Sequence, residues 1–292
     1  MKNVMKQIGK ALGYFLLYFV GGQIIFAFII QYCMGLYAGG IARSEGTVFS
    51  SIEEAQAYGI NFYQNNMGID LAGRAIVLLL LLLVIFLLRK KSFAKETCMK
   101  MTTGKKWLAA VLGAVFVIFF VNGMMGLLSP SDQLESFEQA SSVLYAYPLW
   151  QAILANALLV PIVEEVFFRG LLFSRLQKAL PNVATALITS ALFGLVHGQL
   201  IWMIFAFVVG LVLSFVRIKS GSILPTILMH VMINTYATVV SYGILNITSE
   251  VVMIALMVLG LASIVGCVFL MNKACKEETK QDAQIEVSTV VL

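Results

Sequence analysis

Eight stretches of this chain are apolar for about the length a helix needs to cross a lipid bilayer. They lie near residues 11–36, 71–88, 107–128, 148–173, 183–199, 201–216, 223–243 and 251–271. A hydrocarbon core of about 30 Å is spanned by roughly 20 residues rising 1.5 Å each. The fifth and sixth stretches abut at Gly198–Gln199 with almost no loop, so this pair also reads as a re-entrant hairpin. Charged residues make up 12% of the chain, about half the share usual in soluble domains. So few charges cannot cover the surface of a water-soluble globule. The expected fold class is therefore all-α, a polytopic membrane protein of about eight transmembrane helices, with its chemistry in helices four to seven.

The basic residues set an orientation. Lys2, Lys6 and Lys10 precede the first stretch, and Arg89, Lys90, Lys91, Lys95, Lys100, Lys105 and Lys106 fill the second connection. Arg169, Arg175 and Lys178 follow the middle of the fourth stretch, Arg217 and Lys219 follow the sixth, and Lys273, Lys276 and Lys280 follow the last. Alternation across eight spans puts these on one side and leaves Arg43 and Arg74 opposite. By the positive-inside rule both termini are then cytoplasmic in a multi-pass cell-membrane protein. The acidic segment Ser129–Tyr147, with Asp132, Glu135 and Glu138, is expected outside. The first stretch has a basic start but no small-residue cleavage site, so it reads as a span rather than a removable signal. Cys33 and Cys267 lie in spans, and Cys98 and Cys275 on the reducing side, which indicates no disulfide framework. The surplus of basic residues is explained by topology and contact with the lipid bilayer, and no nucleic-acid partner is expected. Residues 1–140 read as an N-terminal membrane region, 141–272 as the functional core with the last span, and 273–292 as a mobile polar cytoplasmic tail. A short external helix is expected at 51–59, and Leu78–Leu83 reads as a lipid-facing run.

Ionisable groups at membrane depth are costly and tend to mark function. Here they are few: Glu164-Glu165 with Arg169, His197 after Phe193, and His230 with Asn234. Both histidines of the chain fall in spans. Glu165 and Arg169 are four residues apart and share a helix face, as do Phe193 and His197, and His230 and Asn234. Glu164 is turned about 100° from Glu165 and faces a different neighbour. Gly194 and Gly198 form a small-xxx-small pattern that admits close helix approach. Peptide hydrolysis uses such a set: a carboxylate held away from bulk water takes a proton from a water molecule, an imidazole shares the transfer, and donors face the oxyanion. In this reading Glu164 and His197 activate water, His230 and Asn234 bind the oxyanion, Glu165 pairs with Arg169, and Phe193 is packing. Glu164 has no partner of its own.

Glu164-Glu165-x-x-x-Arg169, Phe193-x-x-x-His197 and His230-x-x-x-Asn234, in this order on separate helices, resemble the motif set of the CPBP (CAAX protease and bacteriocin-processing) family of intramembrane endopeptidases. The resemblance covers about residues 145–245. It implies an eight-helix core with a cavity open to the cytosol. It also implies a glutamate-dependent protease whose catalytic residues are Glu164, His197, His230 and Asn234. No cofactor is expected under this reading. The rival is a zinc site of Glu164, His197 and His230 with an open position, against which stands the absence of an HExxH helix. A membrane-associated peptide or protein is the expected substrate, with a sensor kinase or peptide exporter as a further partner. Two other classes remain at this point. One is a non-catalytic membrane regulator or bacteriocin-immunity partner. The other is a proton-coupled transporter, which the lack of inverted halves disfavours.

Overall fold

A computed structural model of the protein describes residues 2–128, 142, 146–245 and 250–290. Ten helices run through them: α1 (Lys2–Ser44), α2 (Ile52–Asn65), α3 (Met67–Leu88), α4 (Phe93–Glu96), α5 (Gly104–Leu128), α6 (Leu149–Leu176), α7 (Asn182–Leu195), α8 (Leu200–Ser220), α9 (Leu224–Ser241) and α10 (Glu250–Val290). No strand occurs among the described residues. The chain is an all-α polytopic membrane protein. By length and apolar composition, α1, α3, α6, α8, α9 and Ile254–Gln281 of α10 are each able to cross a bilayer. The 25-residue α5 stands at the third expected span.

The fifth expected span is a shorter helix than the others, as the hairpin alternative for this pair requires. Helix α7 has 14 residues and is about 21 Å long, against a core of about 30 Å. It stops because Gly198 takes a left-handed turn (φ +73°), and the Gln199 side chain then accepts the Trp202 N–H at 2.9 Å to start α8. The two helices fold back on each other as a tight hairpin. A Cβ on Gly194 would lie 2.7 Å from the Met203 carbonyl oxygen, and one on Gly210 would lie 2.9 Å from the Ser190 Cβ. Of the expected small-residue pair, only Gly194 serves close approach, since nothing lies within 4 Å of a Cβ on Gly198.

Helix α6 is the buried axis. Val163, Val166, Phe167, Phe168, Leu171, Leu172 and Phe173 are all buried, and α1, α3, α7, α8 and α9 supply their neighbours. Two stretches of α6, Ile153–Leu159 and Val166–Leu172, are π-helical. Pro161, which has no N–H to donate, sits between them. The run Leu78–Leu83 is only half lipid-facing: Leu78 and Leu82 are buried while Leu80 and Leu83 are exposed.

The basic residues do gather at one end of the bundle. There Lys106 Nζ reaches Glu278 at 2.6 Å, Arg175 pairs with Glu96, and the Ser222 hydroxyl donates to the Lys100 carbonyl at 2.6 Å. Not all of them are surface charges, however. Lys106, Arg169, Arg175 and Arg217 are buried and bind the bundle together. The expected mobile tail is the end of α10, helical to Val290 and tied to the start of α5 through Glu277–Lys105 and Glu278–Lys106. At the other end the expected short helix runs Ile52–Asn65, and Asp70 takes Arg74 and the Tyr63 hydroxyl, each at 2.9 Å. The acidic loop lies almost wholly outside the described residues. All four cysteines are free.

Replacing Gly194 by Ala forces its new methyl group against the α8 backbone and should destabilise the protein by about 1–3 kcal/mol. Gly198→Ala meets no neighbour and carries only the left-handed penalty of about 1–2 kcal/mol. Denaturation of both variants in detergent checks the direction, and their double variant should be less than additive because both act on one hairpin.

Candidate active site

Three helices bring the ionisable residues together. The α-helical stretch Val160–Glu165, which ends in Glu164 and Glu165, lies between the two π-helical stretches of α6. π-Helical turns often sit at functional sites. Glu165 accepts from Arg169 Nη1 at 2.8 Å, one turn along the same helix, and both side chains are fully buried. Arg169 also donates to the Gly210 carbonyl of α8 at 3.2 Å and lies over the Phe193 ring at 4.4 Å. The expected internal ion pair is therefore present, with α8 and α7 closing over it.

Helix α9 then sets His230 against both carboxylates. Its Nδ1 lies 3.1 Å from Glu165 Oε1 and its Nε2 lies 3.7 Å from Glu164 Oε2. A carboxylate can only accept, so the Nδ1 hydrogen goes to Glu165 and Nε2 is aimed at Glu164. The Arg169–Glu165 pair thus orients the imidazole as a carboxylate orients the histidine of a catalytic triad.

Glu164 is not alone, contrary to expectation. The Tyr18 hydroxyl of α1 donates to its Oε1 at 3.2 Å. Tyr18 is buried, and its ring packs on Phe167 and Phe168, each at 5.2 Å. Its backbone belongs to a third π-helical stretch, Leu17–Ile25.

His197 is not inside a span but in the turn after α7. Its Nδ1 is 2.7 Å from the Phe193 carbonyl. A carbonyl accepts only, so Nδ1 carries the hydrogen and Nε2 is left free to accept. The Phe193 ring, expected as packing, is the hub of the site. His197 meets it edge-on at 4.9 Å, His230 at 5.6 Å and Phe168 at 5.1 Å.

Asn234, one turn from His230, faces a separate part of α6. Its Nδ2 donates to the Asn156 carbonyl at 3.0 Å. Asn156 in turn donates to the Tyr147 hydroxyl at 2.6 Å, and the Tyr242 hydroxyl reaches the Tyr147 carbonyl. One Asn234 N–H is therefore engaged and the second remains. The zinc alternative fits poorly. Among the described residues no group of three or more His, Cys, Asp and Glu side chains is placed to hold a metal ion, and His230 turns its nitrogens to Glu165 and Glu164.

Sequence reasoning did not find Tyr18, Asn156 or the inward role of Arg217, whose Nε donates to the Arg169 carbonyl at 3.1 Å. Tyrosine in a membrane helix carries no signal of its own, and Asn156 was the one usable clue, an amide in the middle of an apolar helix.

Fold and site together define a class: a polytopic membrane protein with a buried glutamate–histidine cluster built from its own helices. Residues 146–236 match the family described as type II CAAX prenyl endopeptidase Rce1-like. The motifs Glu164-Glu165-x-x-x-Arg169, Phe193-x-x-x-His197 and His230-x-x-x-Asn234 all lie within that matching segment, in keeping with the resemblance to the CPBP family. The chain is 27% identical over 157 residues to a Bacillus subtilis (strain 168) protein named "Putative membrane peptidase YdiL", covering 51% of this chain and 63% of that one. It is 32% identical over 132 residues to an Escherichia coli protein named "Uncharacterized 24.3 kDa protein", covering 44% and 59% respectively. The chain thus spans about three fifths of the length of these relatives. No solved structure matches it.

Removing one member of a buried pair leaves an uncompensated charge, at about 3–5 kcal/mol. Arg169→Met should therefore destabilise the protein by that order, and adding Glu165→Leu should recover much of the loss. Unfolding of the two variants in detergent shows whether the second substitution restores stability.

Proposed function

We propose that this protein is an intramembrane endopeptidase that hydrolyses a peptide bond in a membrane-associated peptide or protein. The single observation that carries the reading is the placement of Glu164, within 3.7 Å of His230, in the segment that matches the Rce1-like family. It is supported by the relative named as a membrane peptidase.

In the proposed reaction the Glu164 carboxylate takes a proton from water, with the free Nε2 of His197 as a second acceptor. The water oxygen bonds to the substrate carbonyl carbon, and the carbonyl electron pair moves to its oxygen. That oxyanion is met by His230 and by the second N–H of Asn234. This role requires His230 to carry a hydrogen on both nitrogens, one given to Glu165 and one to the oxyanion. Glu164, Glu165, Arg169 and His230 then sum to zero charge, which a low-dielectric interior tolerates. When the carbon–nitrogen bond breaks, the leaving amine takes the proton held by Glu164. No step of this scheme passes through a metal, and the reading takes the basic end of the bundle as cytosolic.

Comparison of membrane and secreted peptides from cells making the wild type or Glu164→Gln tests the reading. The variant should reach normal levels and lose cleavage by about 10²–10⁴-fold, the usual contribution of a general base. Unchanged peptides would leave the protein a non-catalytic regulator. Tyr18→Phe deletes one hydrogen bond to a charged group and should lower the rate by about tenfold or more, at unchanged protein level. Chelation with phenanthroline should leave cleavage by the purified protein intact. Stoichiometric zinc lost together with activity would overturn the scheme.

A further inference from the structure

Between α1, α3 and α6, at the basic end of the bundle, lies a cavity of about 370 Å³ that the catalytic reading does not use. Its floor is apolar, with Leu17 and Tyr14 of α1 facing Ile85 and Phe86 of α3. Its rim carries Lys10, Arg89, Lys91 and Arg175. The one carboxylate at this rim, Glu96, is already taken by Arg175 and lies 3.7 Å from Lys91. Around Lys10 lie further cations, among them Arg175, Lys6, Lys91 and Lys178. No acidic partner of Lys10 or Arg89 occurs among the described residues. Several positive charges thus converge on one hollow and are not neutralised by the protein itself.

We propose that this cavity seats the head of one anionic phospholipid, its phosphate held by Lys10 and Arg89 and the start of one of its two acyl chains laid along Tyr14, Leu17, Ile85 and Phe86. A cationic rim above an apolar floor, at the end of membrane helices, matches a molecule that is anionic at one end and hydrocarbon at the other. Basic pockets between transmembrane helices bind such headgroups by this chemistry. An acidic soluble peptide would satisfy the rim but leave the floor unmatched. Free phosphate would do the same. The cavity lies beside Glu164's partner in sequence, since Leu17 precedes Tyr18, but the binding does not depend on any peptidase activity.

The test is native mass spectrometry of the full chain released from nanodiscs of phosphatidylcholine with a minor share of phosphatidylglycerol. The wild type should retain one phosphatidylglycerol. Lys10→Gln with Arg89→Gln should weaken retention by about tenfold or more, since each basic residue near an anionic surface contributes appreciably. A control with equal charge loss elsewhere, Lys273→Gln with Lys280→Gln, should retain the lipid as the wild type does. Equal loss in both variants would mean unspecific surface charge and would overturn the proposal. So would displacement of the lipid by inorganic phosphate or by an acidic peptide at millimolar concentration. Melting of each variant in phosphatidylcholine alone distinguishes lost binding from lost folding: the Lys10/Arg89 variant should match the wild type there, and should lack the stabilisation that phosphatidylglycerol gives the wild type.

Discussion

A carboxylate and a guanidinium, neither in contact with water, hold this protein's polar interior in place. The Glu165–Arg169 pair has no exposed surface, and charges removed from water remain only when matched and hydrogen-bonded. Each further contact of the pair recruits another helix: the Gly210 carbonyl brings α8, Phe193 brings α7, and His230 brings α9. Arg217 reaches from α8 to the Arg169 backbone and closes the same ring of contacts. The pair does no chemistry in the proposed reaction, yet it fixes the direction in which His230 points. Glu164, the neighbouring residue, is therefore presented to an imidazole already oriented.

The bilayer explains why so few residues accomplish this. Backbone groups at depth must be satisfied within helices, so what can vary there is how a helix is wound and which polar side chains it aims inward. The π-helical stretches provide the adjustment. Tyr18, Asn156 and Arg169 all lie on such stretches, while the two glutamates occupy the α-helical segment between two of them. The helix that supplies Tyr18 lies outside the segment that matches the Rce1-like family, so α1 contributes both to the site and to the packing around it.

Much of this was legible in the sequence, and the rest was hidden for physical reasons. Apolar length revealed the long helices because hydrocarbon thickness imposes a minimum. At 183–199 it left a span and a re-entrant hairpin both open, because the left-handed glycine at 198 that ends the helix early does not register in hydropathy. The three motifs located Glu164, Glu165, Arg169, Phe193, His197 and His230 because ionisable groups stand out against an apolar background. Tyr18 does not stand out, since a tyrosine in a membrane helix has many ordinary explanations. Its partner lies 146 residues away, beyond the reach of any periodicity. Arg169, Arg175 and Arg217 read in the sequence as surface charges that mark a side of the membrane, whereas all three are buried, because long basic side chains also turn inward.

The hairpin at α7 leaves a mark on the membrane as well as on the protein. Val183, Leu187, Ile188 and Leu195 form an outward greasy face on a rod about 9 Å shorter than the surrounding hydrocarbon. Lipids abutting that face must shorten or tilt, at a fraction of a kcal/mol per ångström of mismatch. A rod of that length favours local thinning of the bilayer beside the turn that carries His197.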